Sequence, residues 1–220
     1  MKAAICVGHS RPGDFGATSA TGRSEWAYNA PIAVRIEQLL TNAGVDVLRV
    51  DAYQGASYSS AMSWLSDELN RFGADCAIEL HFNAADKTAK GFEHLYWHSS
   101  SKGKELADIV HQIHSDAFGG SDRGIKPKDS SDRGSGFLSG PECPSIICEP
   151  FFGDNPDEWE RFNSDENQEA LANVYAAGII QFLGAEPQRT SRELQLIQSM
   201  RRELDEMEKI YRETMSRLIL

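Results

Sequence analysis

The chain is expected to be an α/β protein: a single mainly parallel or mixed sheet covered by helices on both faces, with a C-terminal helical extension. Three observations predict this. Short apolar runs of strand length alternate with amphipathic helical stretches. Two of the runs end in histidine, His9 and His81, where open α/β sheets gather their ligand chemistry. A chain of 220 residues, 40% hydrophobic, can bury one substantial core and carry an appendage. The expected division is a main body over 1–183, a linker over 184–190 and an amphipathic helix over 191–220.

Residues 3–8 read as a buried strand, and 9–25 as a Gly/Ser/Thr-rich loop long enough to be functional. From Trp26 to Ala43, Ile32, Ala33, Ile36, Leu39 and Leu40 recur at helical spacing, and Gly44 supplies a stop. Residues 45–50 form a second strand. Ser59–Phe72 reads as an amphipathic helix through Met62, Leu65 and Leu69, closed by Gly73. Strands follow at 75–81 and 92–97. A helix over 102–118 turns Leu106, Ile109, Val110 and Ile113 inward. The polar stretch 119–136 reads as a loop and a candidate substrate wall. Residues 144–150 form a short, very apolar strand, and Ser164 starts a helix that runs to Leu183.

Beyond the linker, Ile197, Leu204, Tyr211 and Leu218 fall seven residues apart, with Met200 and Met207 at the same interval. That heptad-like stripe predicts packing on the body or self-association through 191–220. The whole chain carries a formal charge of −11, which disfavours nucleic acid and anionic membrane surfaces as partners. No apolar span is long enough for a transmembrane helix, so membrane insertion is not expected, and no secretory signal peptide is expected either. Cys6, Cys76, Cys143 and Cys148 contain no Cys-x-x-Cys pair and read as buried reduced thiols.

The chemistry follows from the two histidines. Catalytic zinc takes three protein ligands, nitrogen or oxygen at about 2 Å, and leaves one position open. His9 and His81 supply two donors. Glu25, at the amino end of the first helix, is placed to be the third, although a carboxylate there is also favoured by the helix dipole alone. Glu149 ends an apolar strand at the same sheet edge, in a partly dry setting that raises a carboxyl pKa and suits a general base. An ion pair with Arg123 or Lys126 is its structural alternative. His111 and His114, three apart on a helix, are expected at the edge of its polar face, and His94 and His98 at the rim or surface. The 123–126 segment either binds substrate carboxylates or is a solvated basic loop.

Taken together, Val7-Gly8-His9, Gly22 to Asn29 with Glu25, Leu80-His81-Phe82-Asn83-Ala84, Gly91-Phe92-Glu93, Arg123-Gly124-Ile125-Lys126 and Pro144 to Phe152 with Glu149 resemble the zinc-dependent N-acetylmuramoyl-L-alanine amidases of the type 3 class. The motifs occur in the family's order over residues 3 to about 183. The resemblance implies one zinc per chain held by His9, Glu25 and His81, with Glu149 as the catalytic carboxylate. It implies hydrolysis of the peptidoglycan amide between N-acetylmuramic acid and L-alanine. A wall-degrading domain without an expected signal peptide points to a phage or prophage endolysin, made in the cytoplasm and acting on the cell wall after holin-assisted release, with a cytoplasmic recycling enzyme as the alternative. The rivals are another zinc amidohydrolase or carboxypeptidase-like peptidase, and a non-catalytic wall-binding module. The chain departs from the family pattern at Cys6, where an acidic residue is usual, and at Glu79, where a small polar residue is usual. Residues 79 and 81 share a strand face, so Glu79 either orients an imidazole or competes as a ligand. Asn83, Arg123 and Lys126 are further candidates for supporting or substrate-binding roles.

Overall fold

The computed structural model describes residues 1–11, 13–14, 16–185, and Ser199, Met200, Leu204 and Met207. The chain divides into two compact units, Met1–Glu186 and Pro187–Leu220. The four described positions of the second unit are helical. The rest of the expected helix over 191–220 lies outside the described residues, as does the expected linker beyond Ala185.

The body is one six-stranded sheet. Its strands are β1 (Lys2–Val7), β2 (Asp46–Val50), β3 (Cys76–Leu80), β4 (Phe92–Trp97), β5 (Asp122–Lys128) and β6 (Ser145–Glu149). They lie in the order β2-β1-β3-β6-β4-β5. The first four in that row are mutually parallel, whereas β4 runs antiparallel to β6 and β5 follows β4. The sheet is therefore mixed, as the sequence allowed. Helices α1 (Glu25–Asn42), α3 (Ser101–Phe118) and α6 (Asp165–Leu183) bury their apolar sides on one face, against Ala3, Ile5 and Val7. Helices α2 (Tyr58–Phe72) and α4 (Ser135–Ser139) cover the other, against Ala4 and Cys6. Alternate residues of β1 thus feed two cores, which explains a continuous apolar run instead of an alternating one.

Local chemistry sets the helix ends. Ser24 caps α1 by accepting from Ala27 N, Ser57 caps α2 in a reciprocal box with Ser60, and Gly73 closes α2 in the left-handed region at φ 71°. Pro31 lies inside α1 and has no N–H to give to the Ala27 carbonyl. The Arg23 guanidinium donates to that carbonyl at 2.9 Å instead. A short helix, α5 (Pro156–Phe162), is an addition to the sequence reading; Asn155 caps it and proline stands at its first turn. All four cysteines are free thiols, Cys143 half-buried and the others buried, in agreement with the sequence.

Two expectations are corrected. Residues 122–128, expected as loop, form the edge strand β5. An edge strand pairs on one side only, so polar side chains and Pro127 are tolerated there and mask its strand character. Between Phe92 and His94 of β4, β5 carries an extra residue around Arg123–Gly124, with Gly124 at φ 78°, a left-handed conformation that glycine adopts without steric cost. The second correction concerns histidines. His98 is exposed as expected, but His94 and His114 are fully buried. β4 is covered on both faces, and α3 presents its histidine-bearing side to it. His94 Nδ1 lies 3.0 Å from His111 Nδ1, and His111 Nε2 lies 2.8 Å from Asp122 Oδ1. The His114 ring stacks on Phe92, with centroids 4.3 Å apart, and meets Phe118.

Burial, reinforced by the neighbouring imidazoles, holds His94 well below its ordinary value and pulls His114 down to about 3. Both are neutral in the fold, so the unfolded chain gains protons first as pH falls. Stability should therefore decline as pH drops below the ordinary histidine value of 6.5 and continue to decline toward 3. Between about pH 7 and about pH 5 each buried imidazole should cost about 2 kcal/mol. His114→Phe fits the aromatic stack and should flatten the acid loss by that amount; urea denaturation of parent and variant at both pH values checks it, and equal slopes would contradict it.

Candidate active site

The carboxyl ends of β1, β3 and β6 converge on one cavity of about 690 Å³, and each delivers a sequence-predicted residue there. His9 follows β1, His81 follows β3, and Glu149 is the last residue of β6. Because β4 is antiparallel, its first residues reach the same end, and Glu93 stands opposite Glu149 in register. From this end the cavity runs over the sheet past Leu95 and Ile147, between α2 and the end of β5 with its following loop, where Lys128, Asp132 and Arg133 line it. Part of the stretch expected as a substrate wall thus does line the cavity.

His9, Glu25 and His81 each present one donor atom, and those atoms lie within 4.8 Å of one another. Glu25 is 2% exposed and sits at the first turn of α1. Its Oε1 lies 2.8 Å from His81 Nδ1 and accepts from Phe82 N at 3.1 Å. Its Oε2 accepts from Ala17 N at 2.9 Å and lies 3.6 Å from His9 Nε2. Burial alone would push the Glu25 carboxyl up, but the His81 hydrogen bond and the charges of His81 and His9 hold it below its ordinary value. From behind, His9 Nδ1 meets Asp14 Oδ1 at 3.0 Å. His9 itself adopts φ 57°, a left-handed conformation that costs a non-glycine residue energy and recurs at functional sites.

Glycines clear the space. A Cβ on Gly8 would fall 2.2 Å from His81 Cε1 and 2.3 Å from Nε2, and one on Gly16 would fall 2.5 Å from Glu25 Oε2. The rings therefore lie directly on backbone. Six carboxylates, from Asp14, Glu25, Glu79, Glu93, Asp132 and Glu149, line this cavity with the two imidazoles. Two imidazole nitrogens with a carboxylate oxygen suit a borderline-soft divalent ion, whose charge would offset the surrounding carboxylates.

Glu149 is partly buried, and its Oε2 has neither solvent access nor a hydrogen-bond partner. Burial pushes its carboxyl up to about 8, and the charges of Glu25, Glu93 and Glu79 add to this against the pull of His81. It makes no ion pair with Arg123. That guanidinium donates to Glu93 Oε2 at 3.0 Å and lies over the Phe152 ring. Asn83 donates to Glu93 Oε1 at 2.9 Å, so Glu93 is held from two sides. Lys126 does not line the cavity. Glu79 does, 5% exposed, accepting from the Tyr53 hydroxyl at 2.7 Å, with its Oε2 3.1 Å from His81 Nε2. Sequence reasoning gave no role to Asp14, Tyr53 or Glu93. Tyr53 follows the carboxyl end of β2, where the strand-end rule that found His9 and His81 also points.

Residues 4–181 match the family described as N-acetylmuramoyl-L-alanine amidase. No curated protein matches the sequence. Among solved structures, the N-acetylmuramoyl-L-alanine amidase from Clostridium difficile 630 is 25% identical, covering 83% of this chain and 96% of its own, with a TM-score of 0.72. The catalytic domain of the CD27L endolysin, targeting Clostridia difficile, is 27% identical over 82% of this chain and 97% of its own, with a TM-score of 0.68. The amidase AmiC2 of Nostoc punctiforme shares the fold at 23% identity, covering 84% of this chain and 97% of its own, with a TM-score of 0.71.

Gly8→Ala tests the cradle. The added methyl should force the His81 ring off the end of β1 and weaken divalent-metal binding by at least about 10-fold. Calorimetric titration of the variant, with far-UV circular dichroism to confirm folding, measures this; parent-like affinity would contradict it.

Proposed function

The chain belongs to the N-acetylmuramoyl-L-alanine amidase family, enzymes that hydrolyse peptidoglycan, and from that premise we propose that it works as a zinc hydrolase with His9, Glu25 and His81 as ligands and Glu149 as general base. The observation that carries this reading is the meeting, in one cavity, of three donor atoms within 4.8 Å of one another and a buried, unpartnered carboxylate oxygen of Glu149. When bound, zinc supplies Lewis acidity that polarises the scissile carbonyl and acidifies water.

The protein's own groups do the rest. Glu25, fixed by Ala17 N and Phe82 N, holds both imidazoles at the cavity floor. Glu149 takes the proton of the attacking water and returns it to the departing nitrogen, a transfer favoured when its pKa lies near working pH. A bound dication would draw that pKa down from about 8. Glu93, held by Asn83 and Arg123, faces the same space from across the sheet. The apolar side of the cavity, with Leu95, Ile147 and Met62, is suited to exclude water from the reacting bond.

The bond we assign is the amide between N-acetylmuramic acid and the L-alanine of the stem peptide. A phage or prophage endolysin role, acting on the wall after holin-assisted release, is supported by the 27% identity to an endolysin catalytic domain. Residues 191–220 are proposed as a self-association element, resting on the heptad-like spacing from Ile197 to Leu218.

Mass spectrometry of digested peptidoglycan should show free stem peptides beginning with L-alanine; cuts within the stem would favour a peptidase. Glu149→Gln should keep stoichiometric zinc while turnover falls about 100- to 10,000-fold. A loss of only a few-fold would remove Glu149 from its role. Light scattering should give a larger mass per particle for the full chain than for a chain ending at Ala185, beyond the missing segment itself; chains of monomer mass in both cases would end the self-association reading.

A further inference from the structure

Behind His81 the structure places a second buried carboxylate whose contacts the reaction scheme above does not use. Glu79 is 5% exposed and Tyr53 is 2% exposed. The Tyr53 hydroxyl donates to Glu79 Oε1 at 2.7 Å, which leaves Oε2 to face His81 Nε2 at 3.1 Å. That nitrogen is shut off from solvent and makes no aligned hydrogen bond; Glu79 faces it at ion-pair distance. Tyr53 is itself anchored, since its backbone N–H is shared by the carbonyl and hydroxyl of Ser10, the residue after His9. Glu79 is not one of the three residues whose donor atoms cluster within 4.8 Å.

A ring with two nitrogens can serve a metal with only one of them, and the group on the other decides which. His9 has Asp14 on its Nδ1, leaving Nε2 toward Glu25. His81 is the mirror case, with Glu79 at Nε2 and Nδ1 toward Glu25. We propose that Glu79, braced by the Tyr53 hydroxyl, is the positioning residue of the metal centre: its carboxylate, facing Nε2 at 3.1 Å, keeps the ring proton on that nitrogen and thereby fixes Nδ1 as the donor atom. The inference rests on the zinc reading above and deepens it. It assigns Glu79 to the ring's far side, not to the metal. It also makes Tyr53, on the loop after β2, part of the machinery that holds the ion.

The test uses the full chain, stripped of metal and titrated with zinc against a competing chelator. Glu79→Gln preserves volume and an oxygen for Tyr53; Tyr53→Phe removes only the brace. Zinc affinity should fall about 10- to 100-fold for Glu79→Gln and by a smaller factor for Tyr53→Phe. The visible spectrum of the cobalt(II)-loaded proteins should keep its shape, because the ligand set is unchanged. Affinities within about twofold of the parent in both variants would overturn the proposal, since a role confined to folding would not move zinc binding. A changed cobalt spectrum in Glu79→Gln would overturn it by making Glu79 a ligand. If the parent binds no zinc, the metal reading itself fails, and that outcome is seen before any variant is compared.

Discussion

The site is organised around a single buried anion, the Glu25 carboxylate. A charge so enclosed is costly unless every oxygen is engaged. Here one oxygen meets His81 and the amide of Phe82, and the other meets the amide of Ala17 and faces His9. These partners come from the end of β3, from the long loop before α1, and from the end of β1. One side chain thus fastens the long loop before α1 to the neighbouring ends of β1 and β3. The N-terminus of α1 adds a favourable dipole at the same point, and Ser24 holds the helix start in place.

Much of this was legible in the sequence because it rests on local pattern. The strand runs ending in His9, His81 and Glu149 were readable as apolar stretches, and parallel strands put their carboxyl ends together by topology. Glu25 was legible from its place at a helix start. Harder to read was whatever depends on the antiparallel β4. Nothing in Phe92–Trp97 announces its direction, yet that direction brings Glu93 opposite Glu149. The edge strand β5 was hidden by polar residues and Pro127, which an unpaired edge tolerates. His94 and His114 were misplaced because a polar residue in an amphipathic pattern suggests solvent. Burial in an aromatic stack instead keeps them neutral.

Two kinds of acid share the cavity and have opposite electrostatic fates. Glu25, hydrogen-bonded and flanked by imidazoles, stays ionised despite its burial. Glu149, without a partner for one oxygen and facing other carboxylates, has its proton held more tightly. A shared pocket therefore separates a charged anchor from a group poised to exchange a proton, through burial, hydrogen bonding and the charges that face each. Glycines at 8 and 16 make the separation possible, since either Cβ would occupy space the rings and carboxylate now fill.

The bulge in β5 carries a consequence for both faces of the sheet. Asp122 and Arg123 are adjacent, yet Asp122 holds His111 on the α3 side and Arg123 holds Glu93 on the cavity side. This dipeptide works as a double-headed rivet at the sheet's outer seam. Peeling β5 from β4 would undo both heads together, so loss of the buried histidine cluster and loss of the Glu93 support would be a single mechanical failure. The catalytic rim is only as durable as the least paired strand of the sheet.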